Sequence, residues 1–472
     1  MTNAYNIGFT KTPQEISLDR LPIQGKLPAW LHGSLIRNGP GAFEVGRQRY
    51  RHWFDGLAML HRFSFAGGQV SYANKFLETH AYRAAVESGR IAYSEFATDP
   101  CRSLFGRVMA VFSPKITDSA KVSIAQIADR FLALAETPIQ VEFDPETLAA
   151  VGVFNYEEGA TGQMTTVHPH VDYARDELYN LVTRYHRLSL YRFYRLRAGG
   201  SPALVGELPV KQPAYIHSFG MSQNYLILAE FPLRVNPLKL LLQLKPYIEN
   251  FRWQPERGTP FWLVNRRTGK LAARIESDPS FAFHHVNAFE QGDEVVVDMV
   301  AYPDADVIQA FYLNRLSGDA PNIPFGQLRR YRLPLQEQKP ASYQVIADVC
   351  VELPHFDYHR FNMDGAYRFV YGVSIAPERR QEFYNQLVKI DLRTGQAQRW
   401  FAANCYPGEP IFVGAPGRSA EDDGVILSVV LDAAKGASFL LLLDARSFQE
   451  QARAEIPQPV LFGYHGAYFE GI

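Results

Sequence analysis

Short stretches of apolar and aromatic residues alternate with tight polar turns along most of the chain. Such short apolar stretches are typical of β-strands rather than of helices. One unit recurs, in which an apolar strand is followed by Asp or Asn, two or three further residues, Thr or Ser, and a second strand. It occurs at Asp144, Asn265, Asp391 and Asp444. Because Asp and Asn begin turns by bonding to nearby backbone, the pattern predicts an all-β protein built from repeated hairpins.

The repeated hairpin is typical of the outer strands of propeller blades, although a β-sandwich contains similar hairpins. No linker-like stretch divides the chain into two smaller β units. We therefore predict a single β-propeller domain over residues 1–472, in which residues 1–15 form an N-terminal extension.

Two apolar segments interrupt the β pattern, at residues 99–114 and 231–254. Arginines are interspersed among the apolar side chains of the first segment, and both Lys and Arg are interleaved in the second. An apolar face bordered by basic residues suits insertion into one leaflet of a membrane. A helix packed on the body of the propeller is the alternative. We predict membrane contact, because two such segments occur in a chain with no other long helical pattern.

Composition narrows the class of protein further. The chain has 472 residues and a formal net charge of −1, so it carries no electrostatic footprint for nucleic acid. Its three cysteines are scattered, which favours a reducing compartment over a disulfide framework. The start, MTNAYNIGFT, shows no secretory signal, and no apolar run is long enough to span a membrane. We predict a cytoplasmic protein that associates peripherally with membranes.

Four histidines at predicted strand ends carry the candidate chemistry: His168, His217, His284 and His465. The first and last are 465 − 168 = 297 residues apart, too far for a local metal-binding motif. A propeller brings such residues together, because the innermost strand of each blade lines the axis. Strand alternation leaves two choices open. His168 and His170 would face the same way, so either is a possible ligand, whereas His284 and His285 would face opposite ways, so one of them reaches the axis.

Three glutamates occupy similar strand-edge positions: Glu136, Glu352 and Glu409. An imidazole that binds a metal through one nitrogen usually donates its other N–H to a carboxylate. The histidines and glutamates together therefore predict a metal centre of the iron redox type. Imidazoles without thiolates suit iron, copper or zinc, and the lack of a nearby cysteine disfavours a structural zinc site. We interpret the other histidines considered as core or surface residues: His32, His52, His61, His80, His186 and His359.

Several motifs of this sequence are shared with one family. They are LHGSLIRNGPGAFEVG in part, HWFDGLAMLHRFSF, TTVHPHVD, YIHSFGMS, FHHVNAFE, GEPIFVGAPGRSAEDDG and the final YHGAY. They follow the order of the family over most of the chain. The sequence thereby resembles the carotenoid cleavage oxygenases, which include the β-carotene oxygenases and the retinoid isomerohydrolase of vision.

The resemblance implies a seven-bladed β-propeller with a helical and loop cap over the metal-bearing face, and a ferrous ion on its axis. It selects the first histidine of HPH and of FHH, so that the implied ligands are His168, His217, His284 and His465. The implied carboxylate partners are Glu136 for His217, Glu352 for His284 and Glu409 for His465.

The implied activity is cleavage of a polyene C=C bond of a carotenoid or apocarotenoid with O₂, giving two aldehydes, by a non-haem Fe(II) dioxygenase. Beyond the metal centre no side chain need act in catalysis, and Asp55 and Gly56 of the FDG motif are expected to be structural. Val122 aligns near the open iron position, where family members often carry threonine. The retinoid isomerohydrolase also has an apolar residue there. A non-oxidative isomerase or isomerohydrolase is therefore one alternative, and a lipid-binding propeller without catalysis is the second.

Overall fold

The computed structural model describes residues 3–100, 117–155, 161–197, 200–241, 245–318, 321–336 and 339–472. Its main sheets are seven antiparallel blades of four to six strands, arranged as a β-propeller. The predicted all-β class is therefore confirmed, with the seven blades that the family resemblance implied. The blades are numbered here in chain order, and the strands of each are given from the axis outwards.

The first four blades contain most of the N-terminal half of the chain. Blade 1 comprises Gly466–Phe469, Gly33–Ala42, Leu57–Ala66, Gln69–Phe76 and Ser17–Leu18. Blade 2 comprises Ser123–Ile127, Arg130–Leu134, Ile139–Phe143 and Ala150–Asn155. Blade 3 comprises Met164–Thr165 with His170–Asp172, then Glu177–Arg184, Ser189–Arg197 and Ala203–Val210. Blade 4 comprises Gly220–Met221, Tyr225–Ala229, Phe261–Asn265 and Leu271–Ile275.

The last three blades follow in the same order. Blade 5 comprises Phe281–Gln291, Glu294–Tyr302, Gln327–Pro334 and Ser342–Cys350. Blade 6 comprises Glu352–His355, Phe369–Ser374, Gln386–Asp391 and Ala397–Phe401. Blade 7 comprises Cys405–Pro407 with Ile411–Gly414, then Gly424–Asp432, Ala437–Asp444, Glu450–Ile456 and Ile23–Gly25. Two small ribbons lie outside the blades, Glu44–Val45 with Gln48–Arg49 and Leu233–Arg234 with Arg252–Trp253.

The ring is closed twice by pairing between the two ends of the chain. In blade 1 the C-terminal strand pairs antiparallel with an N-terminal strand, so that Ser34 lies opposite Phe469. In blade 7 an N-terminal strand forms the outer edge, where Ile23 lies opposite Ala454. Closure fixes the last blade against the first.

The repeated turns lie where the sequence predicts them, in the outer hairpins of blades 2, 4, 6 and 7. In three of these turns, at Asp144, Asn265 and Asp444, the side-chain Oδ1 accepts a hydrogen bond from the backbone N–H three residues later. At Asp391 the Oδ1 accepts from the N–H of Arg393 instead. Each turn is thus held by its own first side chain, which explains why the unit recurs at the level of sequence.

Short helices connect the strands. The described α-helices are Ile7–Thr10, His80–Ser88, Pro237–Leu241, Asp306–Ala310, Leu313–Leu316 and Tyr358–Phe361. The described 3₁₀ turns are Ala4–Asn6, Tyr247–Asn250, Pro255–Arg257 and Pro377–Arg379. The longest of these helices begins after Thr79, whose hydroxyl accepts a hydrogen bond from the N–H of Tyr82, and ends at Gly89 with a positive φ of 61°.

The segment predicted to be an N-terminal extension packs tightly on the propeller. The side chains of Tyr5 and Phe9 are fully buried. The ring centroid of Phe9 lies 5.1 Å from that of Phe383 and 4.9 Å from that of Phe462. Burial of two aromatic rings contributes several kcal/mol at roughly 25 cal/mol per Å² of apolar surface.

The two apolar segments are described to different extents. The segment at residues 99–114 lies almost entirely outside the described residues. The described parts of 231–254 form a two-stranded ribbon, the helix Pro237–Leu241 and the turn Tyr247–Asn250. Leu238 of that helix is 56% exposed. Among the helices described here, none combines the length and apolar character needed to cross a bilayer.

Candidate metal centre

Four histidines meet on the axis of the propeller. They come from the inner strands, or from the residues just before them, of blades 1, 3, 4 and 5: His465, His168, His217 and His284. One nitrogen of each ring lies within 4.8 Å of the corresponding nitrogen of every other ring. The Nε2 atoms of His168 and His217 are 3.3 Å apart, and those of His284 and His465 are 3.2 Å apart. Four imidazole nitrogens therefore converge on one point.

The choice between His168 and His170 is decided by a break in the inner strand of blade 3. Strand pairing stops after Thr165 and resumes at His170, so the alternation expected for a continuous strand does not apply. The ring of His170 turns away from the axis, with its Nε2 2.7 Å from the carbonyl oxygen of Phe219 and its Nδ1 2.9 Å from the hydroxyl of Tyr358. His168 is the member of the pair that joins the cluster.

His284 and His285 lie on a strand whose pairing register shifts between Ala282 and His285. The irregularity directs the ring of His284 into the cluster. The Nδ1 of His285 lies 2.8 Å from the hydroxyl of Ser218. The structure thus places the first histidine of FHH on the axis and the second in a packing position.

Three glutamates lie directly behind three of the imidazoles. The Nδ1 of His217 lies 2.7 Å from Glu136, that of His284 lies 2.6 Å from Glu352 and that of His465 lies 2.7 Å from Glu409. Each pair is the one that the sequence resemblance implied. A carboxylate at Nδ1 holds the proton there, which leaves the lone pair of Nε2 directed at the axis. Among the described residues no carboxylate hydrogen bonds to His168.

Two tyrosines orient two of these carboxylates, and sequence reasoning did not identify them. The hydroxyl of Tyr215 donates to Glu136 over 2.5 Å, and the hydroxyl of Tyr302 donates to Glu352 over 2.7 Å. Glu352 also accepts from the N–H of Leu353, which has a φ of +47°. The only available signal was the position of Tyr215 two residues before His217, on the same face of an extended segment.

The third carboxylate is held by a buried arginine. The Nη1 of Arg37 donates to Glu409 over 2.7 Å, and its Nη2 donates to the carbonyl of Tyr464 over 2.9 Å. The N–H of Gly466 donates to the same carboxylate oxygen over 2.9 Å. Sequence reasoning missed Arg37, and the available signal was a charged residue directly after the apolar pair Leu35 and Ile36.

Each of the seven blades contributes one of the seven predicted residues. Blades 1, 3, 4 and 5 supply the histidines, while blade 2 supplies Glu136, blade 6 supplies Glu352 and blade 7 supplies Glu409. The three hydrogen-bonded pairs therefore join blade 2 to blade 4, blade 6 to blade 5, and blade 7 to blade 1.

The charges of the site suit a cation. Burial holds the pKa of His168 well below its ordinary value and lowers that of His465 to about 4, so both rings are neutral near pH 7. Burial alone would raise the pKa of Glu352 and Glu409, but the adjacent imidazoles lower both below the ordinary value. Three carboxylates and Arg37 leave two formal negative charges around four imidazole nitrogen donors. This donor set fits a divalent transition metal.

A cavity of about 350 Å³ reaches three of the histidines. Aromatic side chains form much of its wall: Trp53, Phe54, Phe96, Phe283, Phe311 and Tyr464. The ring of Phe54 is nearly parallel to that of His217, with 6.2 Å between the centroids. Val122 also lines the cavity, and its carbonyl accepts a hydrogen bond from the N–H of His465. The cavity is the size and character of a site for an apolar ligand.

Comparison with known proteins identifies relatives over nearly the whole chain. The family model described as retinal pigment epithelial membrane protein matches residues 9–470. The carotenoid isomerooxygenase of Galleria mellonella is 35% identical, with 94% of this chain and 92% of that protein covered. The β,β-carotene 15,15′-dioxygenase of Homo sapiens is 32% identical, with 95% of this chain and 92% of that protein covered.

Solved structures also match nearly the whole chain. A variant of the Synechocystis apocarotenoid oxygenase superposes with a TM-score of 0.88 at 26% identity, covering 99% of this chain and 98% of that one. The cobalt-substituted form of that oxygenase superposes with a TM-score of 0.88 at 27% identity, with the same coverage.

Proposed function

The chain belongs to the retinal pigment epithelial membrane protein family of carotenoid oxygenases, and we propose that it cleaves one C=C bond of a carotenoid or apocarotenoid with O₂. The observation that carries this proposal is the convergence of four imidazoles, three of which line a largely aromatic cavity. A polyene is a long apolar chain, and such a cavity matches it in shape and polarity.

We assign Fe(II) to the four-histidine cluster. The metal would be held by the Nε2 atoms of His168, His217, His284 and His465, and it would supply the redox chemistry that activates O₂. The name of the cobalt-substituted relative supports a metal site in this fold. Iron is preferred over zinc because the proposed reaction is an oxidation.

The side chains of the cavity would bind and orient the substrate. The rings of Phe54, Phe283 and Phe311 pack against one another, with centroids 5.3 to 6.2 Å apart. Rings locked in this way form a rigid wall that holds one double bond beside the histidine cluster and excludes water. Which bond is cleaved then follows from position in the cavity rather than from a catalytic acid or base.

The proposed reaction is balanced without a further cofactor. The C=C bond breaks, one oxygen atom of O₂ is added to each carbon, and two carbonyl products form. The alkene supplies the four electrons that O₂ accepts, so neither NAD nor a flavin is needed. No side chain has to take up or release a proton in the overall conversion.

The rival activity is non-oxidative isomerisation or isomerohydrolysis on the same scaffold. Two observations favour it: the apolar Val122 on the cavity wall, and a relative that is named an isomerooxygenase. Turnover under ¹⁸O₂ with a polyene substrate separates the two activities. The proposed cleavage predicts one ¹⁸O atom in each aldehyde when exchange with water is suppressed by trapping, whereas unlabelled products would establish the rival.

A lipid-binding propeller without catalysis is the remaining alternative. Metal analysis of purified protein distinguishes it, since the proposed enzyme should retain or take up about one iron per chain. Protein that binds polyenes but neither holds nor takes up iron would be such a lipid-binding protein.

We also propose that the enzyme draws its substrate from a membrane surface. Leu238 is 56% exposed, while Leu240 on the same short helix lines the cavity, so exposed apolar surface lies beside the substrate site. Basic residues border this segment, as expected for contact with lipid headgroups. Sedimentation with phosphatidylcholine vesicles tests the contact. Leu238→Glu should release the protein from the vesicles, and an unchanged bound fraction would contradict the assignment.

A further inference from the structure

A buried ion pair lies in the wall of the largely apolar cavity. The Nζ of Lys121 is 2.6 Å from the Oε2 of Glu95, and the two side chains are only 5% and 4% exposed. Both residues line the cavity, together with Thr117 and Ser119. Removing two charges from water is costly, and an apolar substrate alone gives no reason for that cost.

The carboxylate of this pair is well satisfied, but the ammonium is not. The hydroxyl of Thr117 donates to the Oε1 of Glu95 over 2.8 Å. The Nζ of Lys121 donates to Glu95 over 2.6 Å and to the hydroxyl of Ser119 over a longer 3.3 Å. An ammonium group carries three N–H donors. Among the described residues only these two acceptors serve it, which leaves one donor at the cavity wall.

A second buried lysine shows how such a group is satisfied when its role is structural. The Nζ of Lys389 donates to Asp422 over 2.7 Å, to the carbonyl of Ala445 over 2.7 Å and to the carbonyl of Arg446 over 3.2 Å. All three donors are therefore used within the protein. Lys389 does not line the cavity that reaches the histidines. Lys389 thus differs from Lys121, which leaves one donor without an acceptor among the described residues.

The ion pair lies beside the metal centre in the chain. Lys121 precedes Val122, whose carbonyl accepts a hydrogen bond of 3.2 Å from the N–H of His465. The backbone that carries the ammonium is therefore fixed to the backbone of a proposed metal ligand. A group bound at Lys121 is held at a constant distance from the histidine cluster.

We infer that Lys121, held by Glu95, binds the oxygen of a carbonyl or hydroxyl end group of the polyene substrate and so selects oxygenated over hydrocarbon polyenes. This inference rests on the proposed function and narrows its substrate class. The free N–H donates to the substrate oxygen, which is an acceptor in an aldehyde and in an alcohol alike. The anchored end group sets how far the polyene enters, and thereby which double bond lies at the histidine cluster.

The test compares an apocarotenal, the apocarotenol obtained from it by borohydride reduction, and β-carotene. The altered enzyme carries Lys121→Met with Glu95→Gln, which removes both charges, keeps the side-chain volume and keeps an acceptor for Thr117. The matched control carries Lys389→Met with Asp422→Asn, which neutralises the structural pair. For each protein, kcat/KM is measured with all three polyenes. The iron content and Tm of each protein are also measured.

The expected result is a loss in kcat/KM on the order of tenfold for the aldehyde and the alcohol, as for loss of one hydrogen bond from a charged donor. For β-carotene, kcat/KM of the altered enzyme should stay within about twofold of that of the unaltered enzyme. The control should keep the preference of the unaltered enzyme among the three polyenes. Equal losses of kcat/KM for all three polyenes would overturn the inference and show that the ion pair has a structural role. Unchanged values for all three would also overturn it.

Equilibrium binding to the unaltered enzyme under nitrogen gives a readout that needs neither turnover nor a folded variant. The apocarotenal should bind about tenfold more tightly than β-carotene, measured by the shift in polyene absorbance. Equal or weaker binding of the aldehyde would overturn the inference. If the enzyme bound the aldehyde preferentially but cleaved no polyene under O₂, the proposed function would fail while the anchor stood.

Discussion

Arg37 in blade 1 donates to Glu409 in blade 7, with 2.7 Å between Nη1 and Oε2, across the point where the propeller closes. Both side chains are at least 93% buried. Glu409 in turn accepts from Nδ1 of His465 over 2.7 Å. One carboxylate therefore joins the closure of the fold to the histidine cluster.

Replacement of this arginine should weaken both the fold and metal binding. Arg37→Met leaves Glu409 buried without its counter-charge, and removal of one member of a buried pair costs about 3–5 kcal/mol. The rotated carboxylate would also release His465, which should lower metal affinity roughly 10-fold or more. Thermal unfolding and a chelator competition measure the two effects. Arg453→Met, at an ion pair on the strand Glu450–Ile456 of blade 7, is the control. Normal metal affinity in Arg37→Met would contradict the proposed coupling.

Two histidines separated by one residue should behave differently on substitution. His168→Ala removes a nitrogen of the cluster and should abolish stoichiometric iron binding. His170→Ala removes hydrogen bonds to Phe219 and Tyr358, so it should retain iron but lose about 1–3 kcal/mol of stability. Iron per chain and Tm are measured on both variants. If His170→Ala lost iron while His168→Ala kept it, the ligand assignment would be wrong.

The carboxylate behind His284 offers a graded test. Glu352→Gln should reduce iron affinity or activity roughly 10–100-fold, because the amide is a weaker acceptor for the imidazole N–H. Tyr302→Phe removes one of the hydrogen bonds that orient the same carboxylate and should give a smaller effect in the same direction. Tyr331→Phe, another buried tyrosine of blade 5, is the control for loss of a hydroxyl. A larger loss of iron affinity or activity in Tyr302→Phe than in Glu352→Gln would count against the proposed role of the Glu352 carboxylate.

The buried His52 should make stability depend on pH. Its Nε2 donates to the carbonyl of Ile308 over 2.8 Å, and its Nδ1 accepts from the N–H of Phe54 over 3.0 Å, so the ring is neutral. Burial lowers the pKa of His52 from 6.5 to about 3. The unfolded chain therefore takes up a proton below pH 6.5 that the folded protein does not. Stability from this group is complete above pH 6.5 and is lost as the pH falls from 6.5 towards 3.

The size of this effect is about 1.4 kcal/mol per pH unit within that window. His52→Gln keeps one donor and one acceptor but does not titrate. The free energy of unfolding, from urea titrations at about pH 7 and pH 5, should fall less in this variant than in the unaltered protein. His359→Gln, at an exposed position of the helix Tyr358–Phe361, is the control. Identical pH dependence in all three proteins would show that His52 titrates normally.

The propeller was predictable where its interactions are local. The turn at Asp144 depends on contacts with residues three positions away, so its pattern is visible in the sequence. The closure of the ring was not predictable. Ile23 and Ala454 pair through backbone groups that any short extended segment can offer, and nothing in their side chains specifies the partner.

Some residues of the candidate site were likewise predictable from the sequence, and others were not. The histidines and glutamates were recognisable because their chemistry is distinctive and their motifs match a family. Strand alternation could not choose between His168 and His170, because the inner strand of blade 3 breaks between Thr165 and His170. Arg37 was missed because its partner is 372 positions away in the chain. Lys121 and Glu95 are joined by an ion pair across a separation of 26, which no periodicity reports.

The use of one residue from each blade also has a consequence for the newly made chain. His465 leaves the ribosome 465 − 168 = 297 residues after His168. At roughly 5–20 residues per second, about 15–60 s pass between the synthesis of His168 and that of His465. During translation the growing chain therefore presents at most three of the four nitrogens. At the proposed metal site, tight capture of the metal is therefore deferred until His465 has been made and the ring has closed.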